Sequence, residues 1–458
     1  MEFCFEIARR AVLSAGFLLA AAAAPWTAAS AKPYTLHTLY SIGSESGDGN
    51  EVVSRLLRDA SGNLYVAAFG GGAHNGGTLE ELSPAAHGKW KHKLLYSFCA
   101  QSNCADGSHP HTGVIVDTAG NLYGTTEFGG PANLGVAYEL IPNARRSKWR
   151  LKVLHDFCSK GGADCTDGGF LVSGLTYVGA ASGAAYDGTS PLYGTTMNYG
   201  TGSAAGGVVY ALTPGGTKWK QTVLYNFCLG GCSSGAGPQA GLIADASGNL
   251  YGTTSGSGQN GIGGTVFELS PGAGRTHWTE TTLHSFCALA NCADGYNPYA
   301  EVLLDGSGNL FGMTPFGGSG QAARCADIDT SGCGVAFKLV PNGANSQETV
   351  LYDFCAAQDC ADGAEPDAGF VMDGAGNLFG TTTYGGGNDI DVLGYGGGTV
   401  FELNGTRQAI YNFCSQPNCA DGEYPEATLI ADGSGNLFGT TFYGGTTGIG
   451  TVFELTPD

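Results

Sequence analysis

Apolar and polar positions alternate along this chain in short runs of five to nine residues, each closed by a turn signal. Around residue 240 the segment Ala240 to Asp245 is a short apolar strand. Ala-Ser-Gly-Asn249 is a turn, with Gly and Asn where a positive φ costs least. Leu-Tyr-Gly-Thr-Thr254 makes a second strand, and Gly264 to Leu269 a third that Ser270 and Pro271 end. Trp278 to Phe286 alternates as a half-buried fourth strand should. No segment shows convincing helical periodicity.

This four-strand unit repeats. Asp-x-x-Gly-Asn-Leu-(Tyr/Phe)-Gly-Thr-Thr recurs at Asp59, Asp117, Asp245, Asp305, Asp373 and Asp432, with a degenerate copy at Asp187, at spacings of 58 to 70 residues. Four antiparallel strands seven times over predict an all-β fold, a seven-bladed β-propeller of four-stranded antiparallel blades. Tyr34 to Tyr40 matches the fourth strand of a repeat, whereas the last repeat stops after its third strand at Leu455. The N-terminal strand is therefore expected to close the last blade and remove the open edge.

Composition adds the compartment. Arg9 and Arg10 precede the apolar run Ala11 to Ala24, and Ala29-Ser-Ala31 supplies small residues. The pattern predicts a signal peptide over 1–31, a propeller over 32–458, and export by the general route rather than the twin-arginine one. A secreted or periplasmic protein follows, with no lipid anchor because no Cys stands at the cleavage site. No later stretch approaches the ~20 apolar residues of a membrane span. Fourteen cysteines beyond Cys4 fall into close pairs: Cys99/Cys104, Cys158/Cys165, Cys228/Cys232, Cys287/Cys292, Cys325/Cys333, Cys355/Cys360 and Cys414/Cys419. In an exported chain they read as disulfides, the spacing being loose for zinc. Six lie in links between blades. The link Gly43 to Asp48 has none, and Cys325/Cys333 falls in a blade-five insertion. The formal charge of −20 argues against nucleic acid or anionic lipid as a partner.

At these residues the chain resembles the GloVer-type tandem repeat proteins, exported bacterial proteins, over Tyr34 to Asp458. The blocks that match are D-x-x-G-N-L-Y-G-T-T, G-T-V-F-E-L, L-Y-S-F-C and C-A-D-G. The resemblance implies no activity and no catalytic residues. Many such proteins have a C-terminal surface anchor, which is not expected here with the chain ending just after Pro457. The Asp-Gly-Asn-Leu hairpin is also similar to that of NHL-type propellers, mostly binding platforms with some enzymes among them.

Candidate chemistry sits where the first strands enter the channel. Eight residues before each repeat Asp stand Glu51, His109, Phe170, Gly237, Asn297, Glu365 and Tyr424, and six before it Val53, His111, Val172, Gln239, Tyr299, Asp367 and Glu426. We call these the −8 and −6 positions. His109, His111, Glu365, Asp367 and Glu426 suit acid–base work, with Tyr299 a further catalytic candidate. Tyr299 and Tyr424 suit stacking on a sugar, and Gln239 and Asn297 hydrogen bonding. At −4, Gly gives way to Arg55 in blade one and Glu301 in blade five, charges expected to meet across the axis at high energetic cost if separated. No metal or other cofactor is expected. Calcium at the ring of Asp-Gly pairs (Asp48, Asp106, Asp167, Asp294, Asp362, Asp421) is the weaker alternative to turn chemistry, and Asp327 to Gly332 lacks the Glu of a calcium loop. Trp90, Trp149, Trp219 and Trp278 are expected to pack the outer rim. The expectation is a monomer that binds a glycan or a cell-surface protein at the channel mouth; the alternative is a polysaccharide lyase or glycoside hydrolase using the rim carboxylates, His and Tyr.

Overall fold

The computed structural model describes residues 34–158, 165–201, 206–215, 218–320, 332–343, 346–387 and 396–458. They form seven antiparallel blades in a ring, a seven-bladed β-propeller. Six blades are four-stranded sheets; in five the strands run in sequence order from the channel outward, and in blade seven the N-terminal strand stands outermost. In blade three the innermost strand is reduced to a single bridge between Thr176 and Tyr193. The signal-peptide stretch, the Cys325 half of the blade-five pair and most of the Asp327 loop lie outside the described residues.

The repeat motif folds for local reasons. In blade four the Asp245 carboxylate accepts the backbone N–H groups of Ser247 and Asn249 on one oxygen and the Asn249 side chain on the other. This Asx hairpin recurs at Asp59, Asp117, Asp305, Asp373 and Asp432. The degenerate Asp187 makes the same turn on Thr189 and Ser190. The Gly of Leu-Tyr-Gly is needed because an aromatic from the third strand covers it. A Cβ on Gly252 would lie 2.8 Å from the Phe267 ring. In the Thr-Thr pair, Thr125, Thr195 and Thr253 donate to backbone carbonyls of the next blade, Ser173, Ala240 and Ala300. That bonding also explains why the inner strand is shorter than the alternation predicts, only Ile243–Ala244 in blade four. Upstream of it the Ala240 carbonyl accepts from the neighbouring blade, and Ala236 and Gly237 rejoin their own blade at Ser255 and Gly256.

Among the described residues the core is divided. Seven apolar clusters each join two adjacent blades, including one that unites blade seven (Phe438, Val452) with blade one (Val52, Leu56, Leu64). Each fully buried Leu or Phe contributes roughly 1.5–3 kcal/mol, so the ring is stable only when every wedge is filled. Closure follows the expected exchange: Tyr34–Ser41 pairs antiparallel with Thr451–Pro457, from Tyr34 opposite Pro457 to Ser41 opposite Thr451. Trp149 packs under Lys93, Trp219 beside Tyr123 and Trp278 beside Tyr193, each an outer inter-blade contact.

The links between blades are stapled by Cys99–Cys104, Cys158–Cys165, Cys228–Cys232, Cys287–Cys292, Cys355–Cys360 and Cys414–Cys419. Such bonds fit an extracytoplasmic compartment. No helix among the described residues is long and apolar enough to cross a membrane. The Asp of each Asp-Gly pair serves its own link: Asp106 accepts from the Ala100 and Gln101 amides and the Tyr96 hydroxyl. Asp362 and Asp421 repeat the arrangement with Tyr352 and Tyr411. These are hydrogen bonds of the turn type.

Candidate functional site

The inner strands enclose a cavity of about 850 Å³ on the ring axis, whose wall includes the −6 residue of every blade: Val53, His111, Val172, Gln239, Tyr299, Asp367 and Glu426. Period-two alternation along the inner segment turns these side chains to the channel. The small residues between −6 and −4, among them Ser54, Ser173, Ala240, Ala368 and Ala427, are buried.

The −8 residues do something else. Glu51, His109, Phe170, Gly237, Asn297, Glu365 and Tyr424 all have φ between 54° and 66°. Their left-handed backbones stitch blades together. The His109 amide donates to Gly76 of blade one while its carbonyl accepts from Glu127 of its own blade, and Tyr424 repeats this with Gly397 and Phe442. The side chains wedge between blades, His109 between Phe69 and Phe128, Tyr424 between Tyr384 and Tyr443. His109, Asn297, Glu365 and Tyr424 are therefore not part of the cavity wall, which corrects the expectation that −8 and −6 form one rim. Asn297 still touches the site, through a hydrogen bond to Tyr299.

Four titratable groups at −6 have shifted proton affinities. Burial, reinforced by the charge of Asp367 on the adjacent blade, pushes Glu426 up to about 8. Burial raises Asp367 to about 6, against a 2.7 Å hydrogen bond from Thr383 that favours its charged form. Burial lowers His111, opposed by a backbone hydrogen bond at Val172. Tyr299 is raised, first by burial, with Asp367 and Glu365 adding to it. At neutral pH this level of the channel thus presents neutral His111, Tyr299 and Gln239, a protonated Glu426 and a mostly ionised Asp367. Gln239 is oriented by a 2.8 Å hydrogen bond to Ser255.

One level further in, Arg55 and Glu301 meet across the axis at 2.5 Å. Their side chains are 49% and 29% exposed, so the pair stands in channel water rather than in the buried setting expected for it. It crosses the cavity between the −6 level and the far mouth, both of which line one continuous space. Of the other −4 positions, Gly113, Gly174, Gly241 and Gly369 are Gly and Thr428 is not; the wall is most crowded at Gly113, where a Cβ would fall 2.3 Å from the Arg55 carbonyl oxygen. At the far mouth Tyr177, Ala180 and Gly183 of the blade-three insertion complete the wall.

The repeat that builds this site also decides the relationship. The model of the Gloeobacter/Verrucomicrobia repeat matches residues 169–389 and 321–458, together more than half the chain. The chain belongs to that family. No curated protein matches it by sequence. Among solved structures, a candidate 6-phosphogluconolactonase of Bacteroides uniformis is similar at 13% identity, covering 82% of this chain and 95% of that one, with a TM-score of 0.46. A luciferin-regenerating enzyme is similar at 12% identity over 92% and 95%, with a TM-score of 0.39. A gluconolactonase of Xanthomonas campestris follows at 14% identity over 56% and 67%, with a TM-score of 0.32. Likenesses this distant have no bearing on what this member of the repeat family does.

Proposed function

We propose that this family member is an exported propeller that binds a neutral, hydroxyl-rich ligand, the end of a glycan chain, at the −6 level of its channel. The observation behind this reading is the set His111, Gln239, Tyr299, Asp367 and Glu426, hydrogen-bonding groups from five blades on the wall of one cavity. At neutral pH nearly all of them are uncharged donors and acceptors, the set that a sugar hydroxyl array needs, with Tyr299 available for ring stacking. The cavity volume falls in the roughly 300–1,000 Å³ range of small-molecule sites. The Arg55–Glu301 bar favours a chain end over a threaded polymer. A glycan array followed by calorimetry on the hit tests this. Wild type is expected to bind a neutral glycan, and Tyr299→Ala and Gln239→Ala to weaken it at least tenfold while melting normally. A folded wild type that binds no neutral glycan, or variants that bind as tightly, would end this reading.

A second reading has one observation in its favour. Glu426 and Asp367, on adjacent blades, hold their protons near pH 8 and pH 6, and carboxyls driven apart in this way suit an acid and a base. Product analysis on the bound glycan separates the two: new reducing ends or unsaturated sugars, lost in Glu426→Gln, mark a hydrolase or lyase.

A further inference from the structure

Blade one breaks the repeat twice in one place. Its third strand puts Glu80 opposite Val66, where the other blades place Tyr138, Tyr210, Phe267, Phe337, Phe401 and Phe453 opposite Gly. The link entering it, Gly43 to Asp48, is the one without a cysteine pair. His92, on the outer strand of blade one, lies between these two departures with its side chain only 3% exposed.

The two nitrogens of His92 have different surroundings. Nε2 lies 3.1 Å from Glu80 Oε2, a hydrogen bond. Nδ1 faces Glu45 Oε2 at 3.5 Å and Asp48 Oδ1 at 3.7 Å. Those two distances exceed the ~2.7–3.2 Å of a good hydrogen bond. They are close to the edge of a tetrahedral metal site, about 3.3–3.5 Å when imidazole nitrogen and carboxylate oxygen each stand about 2.0–2.2 Å from the ion. Asp48, Glu80 and His92 also offer ligand atoms all within 4.8 Å of one another.

Each group is oriented from behind. Glu80 is 1% exposed, and its Oε1 accepts from the Gly49 amide and the Thr78 hydroxyl, both at 2.7 Å. Glu80 therefore accepts from Nε2, which leaves Nδ1 as the nitrogen facing the link, the carboxylate–histidine arrangement that supports metal ligation. Asp48 Oδ2 accepts from the Tyr40 hydroxyl at 2.6 Å and the Glu45 amide at 2.9 Å, which aims Oδ1 at His92. Tyr40 stacks on the imidazole at 4.6 Å and fixes its plane. Glu45, 65% exposed, leaves a path for an ion to enter.

We propose that His92 Nδ1, Asp48 Oδ1 and Glu45 Oε2 bind a divalent transition metal of the zinc class, with Glu80 as the supporting carboxylate. Imidazole with carboxylates is a donor set for zinc and its neighbours rather than for calcium. The ion joins the ring-closing link to blade one at the junction where the other blades use a disulfide, and so acts as a removable staple at the seam of the ring.

The test uses the mature chain with its disulfides intact, stripped with a chelator. Zinc chloride titrated by calorimetry is expected to bind at one equivalent per chain and to raise Tm, reversed by chelator. Cobalt(II) is expected to give the visible absorption of a four-coordinate nitrogen–oxygen site. Glu45→Gln, on an exposed side chain whose amide still holds Asp48, should fold and melt like the stripped parent but bind zinc at least tenfold more weakly. His92→Gln should abolish the cobalt spectrum; if it fails to fold, the Glu45 variant decides. Absence of saturable zinc binding by wild type, or undiminished binding by Glu45→Gln, overturns the proposal. In that case His92 is an imidazolium held between carboxylates and nothing more.

Discussion

Replacing Glu426 with Gln should stabilise the propeller, and only at neutral to alkaline pH. A free Glu ionises near 4.5, whereas in the channel Glu426 keeps its proton to about pH 8, because burial and the neighbouring Asp367 charge oppose ionisation. Below about pH 4.5 the group is protonated in folded and unfolded chains alike and costs nothing. From there upward the unfolded chain ionises while the folded one resists, so stability falls until about pH 8 and then levels off. The unscreened ceiling is about 5 kcal/mol, at about 1.4 kcal/mol per tenfold change in proton affinity. Glu426 is half-buried beside an open cavity, and water there screens much of the penalty, leaving about 1–2 kcal/mol. Glu426→Gln removes it, and a Tm rise of roughly 1–2 °C at pH 8.5 is expected, with little change at pH 4.5. Asp367→Asn should recover part of the same gain, and the double variant less than the sum, since each charge contributes to the other's cost. The assay is thermal unfolding of the three variants from pH 4.5 to 9. An equal gain at both ends of that range would refute the reasoning, because a packing effect does not follow protonation. A loss at pH 8.5 would refute it as well.

Three further outcomes are expected. Non-reducing peptide mapping should find the six local disulfides described above and Cys325–Cys333 as the seventh; any bridge between different links would contradict the blade register. Deleting residues 34–42 leaves blade seven with a bare edge at Thr451–Pro457, so the truncated chain should aggregate or lose cooperative melting, and parental melting would count against strand exchange as the closure. Arg55→Ala and Glu301→Ala should each cost no more than about 1 kcal/mol, as for a solvent-exposed ion pair, with a coupling of a few tenths in the double-mutant cycle; strict additivity would mean the pair contributes nothing.

The fold was legible because each repeat states its own turns, and seven copies average out local ambiguity. The Arg55–Glu301 contact was legible too, because ring arithmetic places blade one opposite blades four and five. What alternation cannot report is backbone sign. Six of the seven −8 residues bear side chains at φ near 57°, so they resemble a functional rim, and the single glycine among them, Gly237, is the only trace of the constraint. The shifted affinities of Glu426 and Asp367 depend on burial, which residue types do not disclose. The seam at His92 left a clearer trace. Glu80 stands where the other repeats have an aromatic, beside the one link without cysteines, and comparing repeats column by column would have singled it out.

The same column-by-column view gives a last prediction about where this ring tolerates change. At −8 the backbone is left-handed, and in His109, Phe170, Gly237, Glu365 and Tyr424 its amide bonds the preceding blade and its carbonyl its own blade. The residue after −6 is small and mostly buried, with its carbonyl accepting from the preceding blade in Ser173, Ala240 and Ala300. At −4 a Cβ on Gly113 would stand 2.3 Å from the Arg55 carbonyl oxygen, a backbone atom that cannot move alone. The −6 side chains line the cavity, and their bonds are side-chain ones, such as Gln239 with Ser255 and Asp367 with Thr383. Gly113→Ala should therefore cost about 1–3 kcal/mol by overpacking. Gln239→Ala, which gives up one half-exposed hydrogen bond to Ser255, should cost about 1 kcal/mol or less. Chemical denaturation of the two variants measures this directly. If Gln239→Ala is the more damaging of the pair, then −6 is part of the frame, and the case for reading its side chains as the ligand-facing surface fails with it.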